Sequence, residues 1–279
     1  MRVGTALKNT VERLRAAGIE TCRLDAELLV CEAANCSRVH LITRDDAVLT
    51  SRQEADLEAM LSRRLKYEPM QYILGHCEFM GLDFKVNGNT LIPRPDTECL
   101  VEYVLNYIKE NNAKTVLDIG TGSGAIIISL AALGNIGGIG TDISEGALMV
   151  ARENAVINHV EDKVDFIESD LFENITGRFD IIVSNPPYIE SGVIPTLGSN
   201  VKDYEPVSAL DGGSDGLNFY RAIAAKASEY LNKPGLIAFE IGYNQAEAVK
   251  NILLASGFTD VETGRDLSGL DRTVCARLQ

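Results

Sequence analysis

The sequence predicts an α/β fold in which a mostly parallel sheet of seven strands carries helices on both faces. A small all-helical domain precedes it, joined by a β-hairpin linker. Three observations predict this. After Asp96, seven strand-like runs alternate with helical stretches. Over the first 70 residues or so, apolar residues recur only at helical spacing. Between Tyr72 and Pro95 the period changes to that of strands.

In the helical domain, residues 1–74, Leu24, Leu28 and Cys31 recur at i, i+4 and i+7. Ser51-Arg52-Gln53-Glu54 reads as a capping box, in which Ser51 and Glu54 satisfy free backbone donors at a helix start. Behind it Leu57, Met60, Leu61 and Leu65 form an apolar stripe, and Pro69 closes the helix because proline supplies no backbone N–H. This domain offers no catalytic group. In the linker, residues 75–95, Phe79, Leu82, Phe84 and Val86 flank Gly81 and precede Asn87-Gly88-Asn89, the pattern of a hairpin. The domain boundary is placed near residues 90–95.

From residue 96 to 279 the expected strands are Thr115–Ile119, Gly138–Ile143, Val164–Glu168, Asp180–Ser184, Leu236–Ile241, Phe258–Glu262 and Thr273–Leu278. Helices are expected at Ala125–Leu133, Ala147–Asn158 and Leu217–Leu231. No internal repeat or low-complexity segment interrupts them.

A chain of 279 residues accommodates two domains. Hydrophobic residues at 46% and charged residues at 24% are ordinary globular values. No apolar run reaches the roughly 18–20 residues of a membrane span, and Met-Arg-Val-Gly-Thr-Ala-Leu-Lys lacks a signal-peptide core, so the expectation is cytoplasmic. Cysteines 22, 31, 36, 77, 99 and 275 form no C-x-x-C pair and read as small buried thiols. The three histidines, 40, 76 and 159, show no metal-ligand spacing, so no metal is expected. A net charge of −14 argues against non-specific grip on nucleic acid. Arg63, Arg64 and Lys66 could form a local basic patch or a solvated helix face.

The first expected strand of the sheet runs into Gly120-Thr121-Gly122-Ser123-Gly124, where glycines allow a tight turn and close approach of a ligand. Two ligand classes fit. Gly120, Gly122 and Ala125 match the dinucleotide fingerprint, with Asp142 about 20 residues on. Asp118, two residues before Gly120, instead suits the cationic amino-acid end of S-adenosylmethionine and would repel a pyrophosphate. The spacing Gly-x-Gly-x-Gly tilts the same way. Asp142, ending the second strand, can accept from both ribose hydroxyls, while Ser144 caps the following helix. Asp170 can accept from the exocyclic amine of adenine or form a turn, with Leu171 or Phe172 over the ring.

The fourth strand delivers Asn185-Pro186-Pro187-Tyr188. Two prolines after a buried strand give a rigid row of carbonyls beside one amide side chain. A carboxamide or aromatic amino nitrogen is a poor nucleophile, because its lone pair is delocalised. The Asn185 side-chain oxygen and the Pro186 main-chain oxygen can each take one N–H and align that nitrogen with a methyl group. Tyr188 offers a flat face to a planar substrate. No strong base is needed, since the proton can leave after transfer.

Together these two motifs resemble the amino-methyltransferases. Pro69-Met70-Gln71-Tyr72-Ile73-Leu74-Gly75, Glu78-Phe79 and Leu91-Ile92-Pro93-Arg94-Pro95-Asp96-Thr97-Glu98 narrow the likeness. So do Ser169-Asp170-Leu171-Phe172, Val183 to Ile189, Glu205-Pro206, Ala209 to Gly213, Asp215-Gly216-Leu217, Glu240-Ile241-Gly242 and Asp271-Arg272. Over nearly the whole chain the sequence resembles the peptide chain release factor glutamine methyltransferases. That resemblance implies a seven-stranded, Rossmann-like class I methyltransferase sheet. It also implies methyl transfer from S-adenosylmethionine to the glutamine of the Gly-Gly-Gln loop in class-one release factors. It implies that Gly120–Gly124, Asp142, Leu171 and Asn185 contact the cofactor and that Asn185, Pro186, Pro187 and Tyr188 hold the glutamine. Three positions depart: Asp96 stands for the more usual Glu, Pro234 for a Gly before Gly235, and Leu171 for an aromatic residue found in some members.

Three functions compete: the release-factor enzyme, a DNA or RNA adenine methyltransferase, and a binding module with a vestigial cofactor site. A base-flipping enzyme calls for a basic groove or a recognition domain, whereas the extra domain here is small, helical and not strongly basic, in an acidic chain. An intact Asn185–Tyr188 segment speaks against a mere binding module. The expected partner is a release factor, bound by a monomer without nucleic acid or membrane; the helical domain is either its dock or purely structural.

Overall fold

The structure, a computed structural model, describes residues 1–279, the side chain of Ile42 excepted. It divides into two compact units, Met1–Gly75 with Ser199–Tyr204, and His76–Gly198 with Glu205–Gln279.

The first unit holds helices α1 (Val3–Ala16), α2 (Cys22–Ala34), α3 (Arg38–Thr43), α4 (Ser51–Arg64) and α5 (Met70–Leu74). It also holds the short α9 (Ser199–Lys202), which follows them far along the chain. Leu14, Leu29, Val30, Leu57 and Leu61 form its core. Helix α2 turns Ala26, Leu29, Val30 and Ala33 inward and leaves Leu24 exposed, so its buried face lies beside the expected one. The capping box of α4 is one residue earlier than expected. Thr50 Oγ1 accepts from Gln53 N at 3.3 Å while Gln53 Oε1 accepts from Thr50 N at 2.9 Å, leaving Glu54 to the N-terminal amine. Pro69 does not close α4, which ends at Arg64; it starts α5, where a missing N–H costs nothing. Arg63 and Lys66 are exposed, as a solvated face requires, but Arg64 turns inward. Arg64 pairs with buried Asp25 at 2.7 Å, and Arg63 holds Glu68 and the Tyr72 carbonyl. The Lys66 carbonyl accepts from Tyr204 Oη, which stands just after α9.

The second unit opens with strands β1 (His76–Phe79) and β2 (Leu82–Lys85), a hairpin turned by Met80 and Gly81 at positive φ. Phe79 and Phe84 pack edge to face into one core cluster of this unit. The sheet contains β3 (Thr115–Ile119), β4 (Gly137–Asp142), β5 (Val164–Glu168), β6 (Phe179–Ser184), β7 (Leu231–Glu240), β8 (Thr259–Arg265) and β9 (Asp271–Leu278). Its order is β5-β4-β3-β6-β7-β9-β8, parallel except that β9 runs antiparallel to both neighbours. All seven expected runs are strands, and β7 begins earlier, at Leu231, through a register shift against β6.

Alternation along the strands sorts two cores onto opposite faces. Val116, Ile181, Val183 and Ala238 meet α6 (Pro95–Asn111), α7 (Ala125–Gly134) and α8 (Glu145–Ile157). Leu117, Ile182, Ile237 and Val274 meet α10 (Asn218–Tyr230) and α11 (Ala246–Ala255). Each such side chain contributes about 1.5–3 kcal/mol. From β3 the order runs outward to β4 and β5 on one side, and from β6 to β7 on the other. The connections leaving β3 and β6 therefore diverge, and a crevice opens at their carboxyl ends.

Candidate active site

A cavity of about 390 Å³ lies in that crevice, within the second unit. Gly120, Thr121, Gly122 and Ser123 line it from β3, Asp142 from β4, Asp170 and Leu171 from β5, and Asn185, Pro186 and Pro187 from β6. The topology thus brings most of the expected residues together. Asp118, Gly124 and Tyr188 lie outside the wall.

The loop after β3 is built around a ligand-sized gap. Gly120 and Gly122 have φ of +73° and +56°, and a Cβ on either would meet nothing within 4 Å. Those positions combine the left-handed backbone, which favours glycine, with open space on the cavity side. Gly124 faces the other way: a Cβ there would stand 2.6 Å from Ile128 Cδ1. Asp118 is wholly buried; its Oδ2 accepts from Thr121 Oγ1 at 2.6 Å and its Oδ1 has no partner among the described residues. Burial pushes its pKa up to about 7, against the hydrogen bond from Thr121.

Asp142 accepts from Gly122 N and from Ser144 N, both at 2.9 Å, and burial raises its pKa. Ser144 caps α8 by accepting from Ala147 N at 3.2 Å, as the sequence suggests. A carboxylate holding two backbone donors keeps lone pairs free toward the cavity. Leu171 adopts φ +51°, rare for a branched side chain, with its carbonyl accepting from Ser169 Oγ at 3.1 Å. Phe172 turns away from the cavity and stacks on Tyr230 at 4.5 Å.

The segment after β6 is buttressed from behind. Gln245 Nε2 donates to the Tyr188 carbonyl at 3.0 Å and the Gly216 carbonyl at 3.2 Å. Ile189 N donates to the Leu210 carbonyl, and Gly212 N donates to the Ile189 carbonyl. A Cβ on Gly212 would stand 2.8 Å from the Pro187 carbonyl oxygen, and one on Gly216 would stand 2.3 Å from that of Tyr188. The glycines of the stretch 209–217 therefore let that stretch lie flat on the Asn185–Tyr188 backbone. Tyr188 itself packs on the core of the α10–α11 face, and burial raises its pKa.

Further groups, to which sequence reasoning assigned no site role, complete the site. Asn154, buried on α8, donates to the Ser123 carbonyl at 2.8 Å and the Lys85 carbonyl at 3.0 Å, and accepts from Lys85 N at 2.7 Å. It ties the glycine loop to the hairpin. Thr97 on α6 accepts from Asn185 Nδ2 at 3.4 Å. Glu240, at the end of β7, is buried beside them, and burial pushes its pKa up to about 7. Arg94 spans both carboxylate oxygens of buried Glu205 at 2.6 Å. Asn154 gave no signal beyond a polar residue in a helix, whereas Arg94, Thr97, Glu205 and Glu240 lie in segments that carry the family resemblance.

Arg94 is the one cation among the described lining residues, and Glu205 neutralises it; Asp142, Asp170 and Asp211 supply negative charge. Such a wall favours a cationic ligand over a pyrophosphate.

Residues 5–75 match the family described as PrmC N-terminal domain, and residues 97–197 match the methyltransferase small domain. A release factor glutamine methyltransferase of Agrobacterium fabrum is 41% identical over 95% of this chain and 94% of its own. That of Clostridium acetobutylicum is 42% identical over 99% of this chain and 98% of its own. The chain belongs to the release factor glutamine methyltransferase family. In Geobacter sulfurreducens a further member is 44% identical over 95% of this chain and 93% of its own. More distant structures share the fold. A methyltransferase from Pyrococcus furiosus aligns with TM-score 0.53 and 17% identity over 82% of this chain and 98% of its own. The hMettl16 catalytic domain aligns with TM-score 0.57 and 15% identity over 80% of this chain and 81% of its own. Among the described residues no helix is long and apolar enough to cross a membrane, and no cluster of metal-ligating side chains occurs.

Proposed function

We propose that this enzyme transfers a methyl group from S-adenosylmethionine to the side-chain amide nitrogen of the glutamine in the Gly-Gly-Gln loop of class-one release factors, acting in the cytoplasm. The observation that carries the reading is Asn185 in the cavity wall with its Nδ2 turned back to Thr97, which leaves Oδ1 for a substrate N–H.

The residues present fit the cofactor. Gly120 and Gly122 leave a cradle that any Cβ would fill, Asp142 keeps acceptor capacity for a ribose diol, and the buried Asp118 oxygen is an unsatisfied acceptor close to the loop. Bound there, S-adenosylmethionine supplies an electrophilic methyl on a sulfonium. Asp142 would hold the ribose, Asp170 and Leu171 the adenine, and the Gly120–Gly124 loop with Asp118 the amino-acid end. Asn185 Oδ1 and the Pro186 carbonyl would accept the two amide N–H groups, orienting the nitrogen and favouring its pyramidal form. The rigid Pro186-Pro187 backbone, pinned by Gln245, keeps these acceptors in place. The proton leaves to water after transfer, so no histidine or thiol is required.

Tritiated methyl donor incubated with the protein and either a release factor or DNA tests the reading. Label is expected in the factor alone and should vanish when its Gly-Gly-Gln glutamine becomes alanine. Label in DNA would sink it in favour of adenine methylation.

A further inference from the structure

Behind Asn185, away from the cavity, sits a carboxylate with no assigned work. Glu240 is 2% exposed, is not part of the cavity wall, and its Oε2 has no partner among the described residues. The Thr97 hydroxyl and the Asn185 carboxamide lie beside it and favour its charged form, and Thr97 Oγ1 itself accepts from Asn185 Nδ2 at 3.4 Å. Burying a carboxylate with one oxygen unsatisfied is costly, and such groups persist where they serve a function.

The chemistry of an asparagine amide suggests that function. Its oxygen and its NH₂ are nearly the same size, its terminal torsion is broad and two-fold, and a half-turn exchanges an acceptor for a donor. If Asn185 turned its NH₂ to the cavity, it would repel the substrate N–H groups that it must accept. Thr97 cannot prevent this, because a hydroxyl both donates and accepts. An ionised carboxylate accepts only, so it admits only the NH₂ end. We propose that Glu240 is a positioning residue that fixes the Asn185 carboxamide with Nδ2 inward and Oδ1 toward the substrate amide. The inference rests on the functional reading above and deepens it.

The charges around Glu240 bear on when this works. Asp96 on α6 opposes its ionisation and Arg272 on β9 favours it. Tyr188, in the segment after β6, and Tyr220, on α10, also feel its charge, and the Tyr220 hydroxyl donates to the Glu240 main-chain carbonyl at 2.9 Å. With its pKa near 7, Glu240 is ionised above neutrality and acquires a donor below it. A protonated Glu240 can face Asn185 Oδ1, and the orientation is then no longer selected. Turnover should therefore fall as the pH drops through about 7.

The test is kcat against pH at saturating tritiated S-adenosylmethionine, with a class-one release factor as acceptor. Saturation removes the contribution of Asp118 to donor affinity. Glu240→Gln, which offers both a donor and an acceptor, should lower kcat about 10-fold or more at pH 8 and abolish the step near pH 7. It should leave calorimetric donor affinity at its wild-type value and should not lower the melting temperature. Glu240→Asp, which keeps an acceptor-only group, should recover part of kcat and the pH step. Wild-type kcat in Glu240→Gln, or a loss matched by falling stability or donor affinity, overturns the inference. A wild-type enzyme that labels no release factor instead overturns the functional reading.

Discussion

At the scale of the residue, the proposed function gives Asn185 to the substrate and Asp118 to the donor. On that reading, replacing Asn185 by alanine removes an acceptor for the reacting nitrogen. Turnover should fall about 10²–10³-fold, while donor affinity measured by calorimetry stays within a few-fold of wild type; equal loss of both would make Asn185 a cofactor ligand instead. Asp118 has a folded pKa near 7, above its unfolded value of 3.8. A carboxyl shifted in this direction contributes its stability in full below the unfolded pKa and loses it as pH rises through the folded one. The ligand-free protein should therefore lose melting temperature between about pH 4 and pH 7, and Asp118→Asn should weaken that slope. Because a cationic amino group favours the ionised form, donor affinity should rise over the same interval. Asp118→Asn should remove this rise, and an unchanged affinity profile would place Asp118 in folding alone.

At the scale of the element, Asn154 and Gly216 show how helices and loops hold the site. Asn154→Ala would strand two carbonyls and one N–H at the joint of hairpin and glycine loop. A loss of about 3 kcal/mol in urea unfolding is expected, at about 1–3 kcal/mol per buried unsatisfied group. Gly216→Ala should cut turnover with little loss of secondary structure, because its Cβ would push on the Tyr188 carbonyl. The central strands β3, β6, β7 and β9 were legible in the sequence because their runs are largely apolar and buried. The glycine loop and Asn185-Pro186-Pro187 were legible because their backbone demands few other residues. Caps were less so: Thr50/Gln53 and Ser51/Glu54 present the same pattern one residue apart, and the first is the one formed, with Glu54 paired to the N-terminal amine. The roles of Asn154 in α8, Glu240 at the end of β7 and Gln245 at the start of α11 were not legible, since each finds its partners only after distant elements meet. Tyr188, read as a substrate platform, packs on the core in this structure.

At the scale of the whole molecule, the ion pair of Arg94 and Glu205 joins the stretch before α6 to the long connection after β6. Arg94→Met would leave a buried carboxylate unpaired, with an expected loss of about 3–5 kcal/mol in urea unfolding. Burial already raises the Glu205 pKa. The loss should shrink at lower pH as the group takes up a proton, and a pH-independent loss would argue that packing of the arginine stem matters more. Glu205 is also where the chain returns from the helical unit, which takes in Ser199–Tyr204 as well as the first 75 residues. Synthesis proceeds from the N-terminus, so the last piece of that unit leaves the ribosome only after β3 to β6 have been made. The helical unit cannot reach its final form as an independent early product, and an exchange of this unit between relatives would have to carry two separate pieces of the gene.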